Sequence, residues 1–202
     1  MVRRAPRLKT IRRLGTPLPG LTRKQENEPA ARDTRQPRRR QTKSDYRRRL
    51  EEKQKVRFHY GITEGQLRRY FAEAARQRGV TGDTLLALLE RRLDNVVFRL
   101  GLAPTIPAAR QLVAHGHVQV DGRRIDRPAY QVEPGERIAL SPRARASGAI
   151  ADAARQDPSV RLPGYLARDA DDQFAGRVSG DVAPEDVPFI VDPTAIVEFY
   201  AR

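Results

Sequence analysis

Apolar residues recur at three- and four-residue steps over residues 85–100, which predicts an amphipathic helix. The repeated positions are Leu85, Leu89, Leu93, Val96 and Leu100. A polar set spaced four residues apart is predicted to occupy a different face of the same helix: Arg91, Asn95 and Arg99. Residues 81–84 are expected to form a short break and cap before this helix.

A second helix and a tight β-hairpin are predicted directly after it. Thr105 is the expected N-cap, Pro107 lies in the first turn, where no N–H is needed, and Gly116 ends the helix. Two valines then alternate with polar residues up to Asp121-Gly122, a strong hairpin signal. The side chains expected on one common surface are Arg91, Asn95, Arg99, Arg110, Gln111, His115, His117, Arg123 and Arg124. Such a surface suits phosphate groups better than catalysis.

The remaining pattern predicts further short elements and an α+β fold class. A helix is expected from Ser44 or Asp45 to about Phe58, and another is opened by Thr63 and Glu64. Later elements are a loop and strand over 127–140, a short alanine-rich helix over 141–152 and a last helix over 194–201. Residues 155–195 are rich in Pro, Gly and Asp and are expected to be irregular, with short apolar runs.

Charge is distributed unevenly along the chain. The net charge is +14, and residues 1–58 alone carry +14, whereas residues 151–202 carry −5. Residues 1–43 hold too few apolar side chains to fold alone, so we expect a polyanion to order them, with the densest basic run at 35–43. A GC-rich genome would explain the ratio of 34 arginines to 5 lysines, but not their clustering. The acidic end should face solvent or a basic protein.

Several classes of site and of protein are excluded or disfavoured. The chain has no cysteine, which excludes disulfides and thiolate metal sites. Its three histidines have no carboxylate at metal-ligand spacing, so we expect no metal and no other cofactor. No apolar run approaches the roughly 20 residues of a membrane span. No phosphate-binding glycine loop, nucleophile elbow or convincing acid/base pair is present, which predicts that the protein is not an enzyme.

Four segments carry a resemblance to one family. Residues 91–125 resemble the RNA-binding module named after small-subunit ribosomal protein four. The segments IRRLGTPLPGLT (11–22), SDYRRRLEEKQKVRFHYGITEGQLRRYF (44–71) and IVEFYAR (196–202) resemble the ribosomal protein four family itself. Together they span nearly the whole chain in the expected order, which is more specific than the module alone. Some members hold a zinc site built from cysteines near the N-terminus, so this chain resembles the cysteine-free form.

The resemblance implies that the RNA-binding module is inserted within a helical domain. Residues 1–43 would be a basic N-terminal extension ordered by rRNA. Residues 44–91 would form the helical domain, completed by residues 178–202 of the C-terminal segment. Residues 92–177 would form the module, two helices plus a small antiparallel sheet, with its core at 92–152.

The resemblance also implies a function and partners. The protein would be a structural constituent of the small ribosomal subunit that binds the 5′ domain of 16S-type rRNA early and nucleates its assembly. Ribosomal protein five would be a neighbour, at an interface where translational accuracy is tuned, and mRNA would pass nearby where it enters the subunit. Neither DNA nor a membrane is expected as a partner. The expected location is the cytoplasm, bacterial rather than organellar, given the arginine bias and family-like sequence that leaves no room for a leader.

The residues expected at the rRNA are basic, amide or imidazole side chains. Those on the extension and the helical domain are Lys9, Arg12, Arg13, Arg38, Arg39, Arg40, Lys43, Arg47, Arg48, Arg49, Lys53, Lys55, Arg57, Arg68 and Arg69. Those on the module are Arg91, Asn95, Arg99, Arg110, Gln111, His115, His117, Arg123 and Arg124. They would neutralise phosphates where RNA strands crowd together, with shape dominating over base reading.

Two other functional classes stay open on the sequence. Arg92-Leu93-Asp94 resembles the catalytic aspartate motif of pseudouridine synthases, many of which carry the same module. Asp94, however, lies inside the module's own helix, which favours an ion pair or a bond that orients a nearby arginine. The other class is an RNA-binding factor that recognises stalled ribosomes. The matches at 44–71 and 196–202 favour the ribosomal protein over both.

Overall fold

The computed structural model describes residues 7–22, 44–155 and 160–201. Its α-helices are α1 (Arg7–Leu14), α2 (Asp45–His59), α3 (Glu64–Ala74), α4 (Thr81–Glu90), α5 (Leu93–Arg99), α6 (Ile106–Ala114), α7 (Pro142–Arg145), α8 (Gly148–Arg155) and α9 (Pro193–Tyr200). Its strands are β1 (Val118–Val120), β2 (Arg123–Ile125), β3 (Arg137–Leu140), β4 (Leu166–Arg168) and β5 (Ala175–Val178), and a 3-10 turn spans Pro184–Asp186. The predicted α+β class is confirmed. None of the helices in these ranges is long and apolar enough to cross a membrane.

Helices α2, α3, α4 and α9 form the helical part of the fold. The Ser44 hydroxyl accepts a hydrogen bond from the Arg47 N–H, so α2 begins where its cap predicts. Thr63 and Gln66 form a reciprocal capping box at the start of α3. Helix α9 packs against α2 and α4, and its Ile196 is completely buried.

The helix predicted over residues 85–100 is in fact two helices. Helix α4 ends at Glu90, and Arg92 has extended backbone geometry and forms an isolated bridge with Gln131. The Leu93 N–H donates to the Tyr130 carbonyl at 2.9 Å, and the Val132 N–H donates to the Arg91 carbonyl at 2.9 Å. Pairing with this distant segment breaks the helix. Residues 81–84 are the first turn of α4, not a break, and Val80 provides no side-chain cap.

Helix α5 consequently runs through the protein interior, and all of its residues are buried. Asn95 is 0% exposed and Arg99 is 3% exposed. The outward basic face predicted for Arg91, Asn95 and Arg99 is therefore wrong for the last two residues. The four-residue spacing of these polar side chains places them on one helix face. It does not show whether that face meets solvent or is buried against residues that are distant in sequence.

Helix α6 and the hairpin match their predictions. The Thr105 hydroxyl accepts from the Ala108 N–H at 3.3 Å, and Gly116 ends the helix at a φ of +71°. Asp121 and Gly122 have φ angles of 47° and 77°, and a positive φ at both central residues is what a type I′ hairpin turn requires.

The five strands form one antiparallel sheet in the order β2-β1-β3-β5-β4. Strands β4 and β5 lie in the segment predicted to be irregular, so that prediction is wrong there. They have only three and four residues; β5 pairs with β3, with Ile138 opposite Gly176, and β4 pairs with β5. Gly176 is needed because a Cβ at this position would lie 2.5 Å from Leu100 Cδ2. The predicted alanine-rich helix is also divided, into α7 and α8.

Residues 7–22 pack onto the core, whereas the sequence predicts that they belong to a basic extension, residues 1–43, which only RNA orders. Helix α1 buries Leu14, and Leu18 follows it at 1% exposure. The Gly20 carbonyl accepts from the Ile106 N–H at 2.9 Å. A Cβ on Gly20 would lie 2.4 Å from Ile106 Cδ1, so glycine permits this close approach to α6. The first part of the basic segment is thus anchored without RNA.

Candidate nucleic-acid interface

Most of the basic residues predicted at the rRNA from α1, α2, α3 and the hairpin are exposed. They are Lys9, Arg12, Arg13, Arg47, Arg48, Arg68, Arg69, Arg123 and Arg124, together with Gln111 and His115 on α6 and at its end. Half-buried positions are Arg49, Arg57, Arg91, Arg110 and His117. Arg38, Arg39, Arg40 and Lys43 lie outside the described residues. The buried exceptions are Lys53, Lys55, Asn95 and Arg99.

Lys53 and Lys55 hold α2 against its neighbours. The Lys53 ammonium lies 2.8 Å from a Glu64 carboxylate oxygen and 4.5 Å from the centre of the Phe199 ring. The Lys55 ammonium lies 2.7 Å from Glu52 and contacts the carbonyl of Ile190 at 3.4 Å. The two residues are 5% and 9% exposed, so the prediction that they face RNA conflicts with their burial.

Glu64 is the carboxylate at which α2, α3 and α9 meet. Its oxygens accept hydrogen bonds from Lys53 and from the Tyr200 hydroxyl at 2.8 and 2.9 Å. Burial alone would raise the pKa of Glu64, but these two hydrogen bonds lower it below its ordinary value. Arg49 makes a parallel link to α9 through Glu198 at 2.6 Å. The half-buried arginines of α2, Arg49 and Arg57, therefore already lie close to carboxylates of α9 and α3.

Asp94 is the anion of a cluster that joins α5, α6 and the turn after α2. Arg92 makes a bidentate pair with Asp94 at 3.0 and 2.8 Å, and Arg110 approaches the same carboxylate at 2.6 Å. Arg110 also donates to the carbonyls of Tyr60 and Gly61 at 2.8 and 2.6 Å. Although burial disfavours the charge of Arg92, the Asp94 carboxylate raises the pKa of this guanidinium.

This cluster decides the role of the Arg92-Leu93-Asp94 motif. Asp94 is 0% exposed and both of its oxygens accept hydrogen bonds from arginines. It orients nearby arginines, as one reading of the sequence predicted, but in the interior and not on a helix surface. A carboxylate committed in this way is not placed to attack a nucleotide.

A second buried network surrounds Glu90, and sequence reasoning missed it. The hydroxyls of Tyr60 and Tyr165 donate to the Glu90 carboxylate at 2.5 and 2.8 Å, and the Asn95 amide donates to it at 2.9 Å. Arg99 lies 3.5 Å from the same carboxylate and donates to the carbonyl of Asp186. Burial, reinforced by the Glu90 charge, raises the pKa of both tyrosines well above its ordinary value. The sequence signal for this network is Glu90 itself, a single glutamate that follows the apolar residues of α4.

His59 lies beside this network with its ring completely buried. The ring packs against Phe189, with centroids 4.4 Å apart. Burial, and the charge of Arg99 to a lesser extent, lower the pKa of His59 to about 3. His59 is thus a neutral core residue at neutral pH.

The end of α6 and the hairpin form what we call the hairpin cluster: Gln111, His115, His117, Arg123 and Arg124. The rings of His115 and His117 lie 6.2 Å apart, on either side of Gly116. The guanidinium of Arg124 lies directly over Gly116, since a Cβ there would come within 2.0 Å of Arg124 Nε. Among the described residues, no group of three or more His, Asp or Glu side chains is placed to hold a metal ion. The cluster is therefore suited to phosphates and bases.

Arg91, Arg137 and Arg145 each bind another part of the same chain. Arg91 Nε donates to the Val132 carbonyl at 2.8 Å. Arg137 contacts Asp169 and Asp172 at 2.8 and 2.9 Å, and Arg145 contacts Asp172 at 2.8 Å. Two carboxylates of the acidic last 50 residues are thus paired with arginines of β3 and α7. The sequence predicted only solvent or a basic partner for this end of the chain.

Comparisons with known proteins cover the chain in two parts. The family model for the Ribosomal protein S4/S9 N-terminal domain matches residues 3–90, and that for the S4 domain matches residues 91–138. Small ribosomal subunit protein uS4 of Nostoc punctiforme is 50% identical over 200 residues, covering 98% of this chain and 97% of the relative. The protein of the same name from Thermosynechococcus vestitus is 48% identical and uS4c of Helianthus annuus is 46% identical, each with the same coverage.

Proposed function

The chain belongs to the uS4 family of small-ribosomal-subunit proteins, and on that premise we propose that it binds the 5′ domain of 16S-type rRNA directly and nucleates its assembly. Membership makes the protein a structural, rRNA-binding constituent of the small subunit and not an enzyme. The resemblance predicted from the sequence is confirmed. Relatives that match over almost their full length also set aside the modifying enzyme and the stalled-ribosome factor.

The observation that carries the proposal is the separation of basic side chains into a buried set and an exposed set. Arg92, Arg99, Lys53 and Lys55 are buried and ion-paired with carboxylates. The exposed set on α1, α2, α3 and in the hairpin cluster lies at the surface, where RNA can reach it. Each phosphate contact releases condensed counterions, and several together would fix strands that otherwise repel one another.

We therefore propose a revised set of rRNA contacts. The exposed members are Lys9, Arg12, Arg13, Arg47, Arg48, Arg68, Arg69, Gln111, His115, Arg123 and Arg124, and the half-buried His117 is kept with them. Arg38, Arg39, Arg40 and Lys43 remain in the set on their charge density. Arg49, Arg57, Arg91 and Arg110 would act mainly as supports, while Lys53, Lys55, Asn95 and Arg99 are removed because they are buried.

The domain boundaries that we propose are those of the sequence analysis, with one change. Residues 44–91 and 178–202 would form the helical domain, which the packing of α9 on α2 and α4 supports. Residues 92–177 would form the module, which the five-stranded sheet supports. The basic extension ordered by rRNA would begin after residue 22, since residues 7–22 already pack on the core.

Ribosomal protein five is the neighbour that we propose, at an interface that tunes translational accuracy. The mRNA would pass close to the exposed basic side chains where it enters the subunit. We further propose a bacterial, cytoplasmic subunit, which the arginine-rich composition supports. Cross-linking of assembled subunits, followed by mass spectrometry, tests the neighbour directly, and a cross-link pattern without ribosomal protein five would contradict it.

A binding titration tests the main proposal. The full chain is titrated with a folded 5′-domain rRNA fragment and with a length-matched unrelated RNA across a salt series. Both affinities should fall as salt rises, with a slope of roughly −0.7 to −0.9 per phosphate contact. We expect about a hundredfold preference for the cognate fragment at moderate salt. Equal, salt-sensitive binding to both RNAs would contradict a site-specific role.

A further inference from the structure

A groove lies between α6 and α8, next to the hairpin cluster. We call it the α6–α8 groove; its volume is about 290 Å³. Its lining combines apolar side chains of both helices with an amide and two imidazoles, among them Gln111, Leu112, His115, His117, Ala149 and Ile150. Ligand pockets for drug-sized molecules span roughly 300–1,000 Å³, so this groove suits one small, flat group and not a helix or a peptide.

The chemistry of the groove is divided between its walls and its rim. Ala149 and Ile150 on α8 face Leu112 on α6, and these apolar walls offer nothing to a charged ligand. At the rim, Gln111 on α6 and His115 at the C-cap of α6 are four residues apart and are both exposed. The Gln111 amide can donate and accept hydrogen bonds, and the His115 imidazole can do the same. A flat heterocycle with polar edges matches this combination.

The charge beside the groove indicates what such a heterocycle would be attached to. Arg124 lies over Gly116, between His115 and His117, and is exposed. Arg123, its neighbour on β2, is exposed as well. A phosphate attached to a group seated in the groove would therefore meet one or two guanidinium ions at the rim.

We propose that the α6–α8 groove holds one unpaired nucleobase of the bound RNA. The base lies between the walls of α6 and α8, its polar edge meets Gln111 and the imidazoles, and its phosphate meets Arg124. Proteins recognise unstacked RNA bases by this combination of flat contact and edge hydrogen bonding. The inference rests on the proposed rRNA binding and adds base recognition to an interface otherwise governed by backbone charge.

Filling the groove tests the proposal without removing any polar group. Ala149→Phe places a large side chain in the groove from an exposed position, so folding should be preserved. Ala146→Phe is the matched control: Ala146 is also exposed, three residues earlier, and does not line the groove. Gln111→Ala provides a second route, because it opens the rim and removes the amide. Circular dichroism and thermal melting verify that each variant is folded.

The readout is the affinity for the folded 5′-domain fragment, together with chemical probing of base edges by dimethyl sulfate and a carbodiimide. We expect Ala149→Phe to lower the affinity about tenfold, the scale of one stacked base. An unpaired base protected by the parent protein and by Ala146→Phe should become reactive with Ala149→Phe and with Gln111→Ala. Backbone protection elsewhere should persist.

Three outcomes would overturn the inference. If Ala149→Phe matched Ala146→Phe in affinity and in base protection, the groove would be empty in the complex, while the proposed function would stand. If Ala149→Phe bound the fragment normally but failed to enter small subunits, the occupant would be a protein. If the parent chain showed no preference for the fragment, the proposed function and this inference would fall together.

Discussion

Asp94 and Glu90 each anchor several buried groups through a single carboxylate. Asp94 binds two arginines, one 2% exposed and one partly exposed, and Glu90 accepts from two tyrosines and an amide. Charges of this kind have lost their solvation, so each depends on its partners. The consequence at the scale of single residues is that substitutions inside this basic protein should affect folding first, and RNA binding only through folding.

Asp94→Asn should be among the most destabilising single substitutions. It keeps the size of the side chain but leaves the buried Arg92 guanidinium without its counter-charge, so we expect a loss of about 3–5 kcal/mol in the free energy of unfolding. Urea denaturation measures this. Asp126→Asn, at an exposed position, should change it by less than about 0.5 kcal/mol. Equal effects of the two substitutions would contradict the role assigned to the cluster.

Tyr60→Phe should isolate one hydrogen bond of the Glu90 network. The substitution removes only the hydroxyl that donates to Glu90, and hydrogen bonds to charged groups contribute about 1.5–3 kcal/mol. Chemical denaturation should therefore show a loss of about 2 kcal/mol. Tyr46→Phe is the control, because Tyr46 is 59% exposed and should lose little.

His59 should make stability depend on pH in the acid range. The unfolded chain binds a proton at His59 near pH 6.5, whereas the folded ring resists protonation down to a pKa of about 3. Protons therefore favour the unfolded chain. As the pH falls from about 6.5 to about 3, the free energy of unfolding should decrease by up to about 1.4 kcal/mol per pH unit. His59→Phe should remove this slope while the carboxyl groups titrate as before. Parallel pH profiles of the two proteins would contradict the assignment.

At the scale of elements, local chemistry predicts ends and distant contacts decide interruptions. Ser44, Thr63 and Thr105 cap helices where the sequence indicates, and Asp121-Gly122 makes the expected turn, because each depends only on its neighbours. The break between α4 and α5 depends on residues about 40 positions away. The same holds for β4 and β5, which are too short to be recognised without β3.

The candidate site shows the same division. The exposed arginines of α2 and α3 could be predicted, since charge on an otherwise polar helix face is usually solvated. Asn95 and Arg99 could not, because their partner Glu90 and the Tyr165 that completes the network meet only in three dimensions, 75 residues apart. The burial of Lys53 and Lys55 could not be predicted either, because the Phe199 ring and the Ile190 carbonyl reach them from the far end of the chain.

Gly116→Ala should disturb the junction of α6 and β1. The residue has a φ of +71°, which a side chain disfavours, and its Cβ would occupy the position of Arg124. Melting experiments should show a loss of about 1–2 kcal/mol, and RNA binding should weaken as Arg124 moves. Gly148→Ala has open space in α8 and should instead raise stability by about 0.5 kcal/mol. Destabilisation by both would contradict the argument.

At the scale of the whole molecule, basic and acidic charge occupy different parts of the chain. The exposed arginines of α2 and the hairpin are far in sequence from the acidic last 50 residues, two of whose carboxylates pair with Arg137 of β3 and Arg145 of α7. Removing a positive charge should therefore change RNA binding by an amount that depends on where in the chain the charge lies, and not on the net charge alone.

Arg47→Ala combined with Arg48→Ala should reduce the salt dependence of rRNA binding. Each phosphate contact contributes about 0.7–0.9 to the slope of log affinity against log salt, so the slope should become shallower by about 1.5. Arg161→Ala combined with Arg168→Ala removes the same charge from exposed positions in the acidic part and should leave the slope unchanged. Equal changes for the two pairs would mean that only net charge matters.

The packing of α9 on α2 and α4 has a consequence for how the chain is made. Arg49 and Glu198, which form an ion pair, are 149 residues apart in sequence. The Gly20 carbonyl accepts its hydrogen bond from the N–H of Ile106, which is synthesised much later. During synthesis, the apolar faces of α2 and α4 stay uncovered until α9 has left the ribosome that translates it, and such surfaces invite aggregation. We therefore expect the growing chain to be most prone to aggregation before α9 has been synthesised.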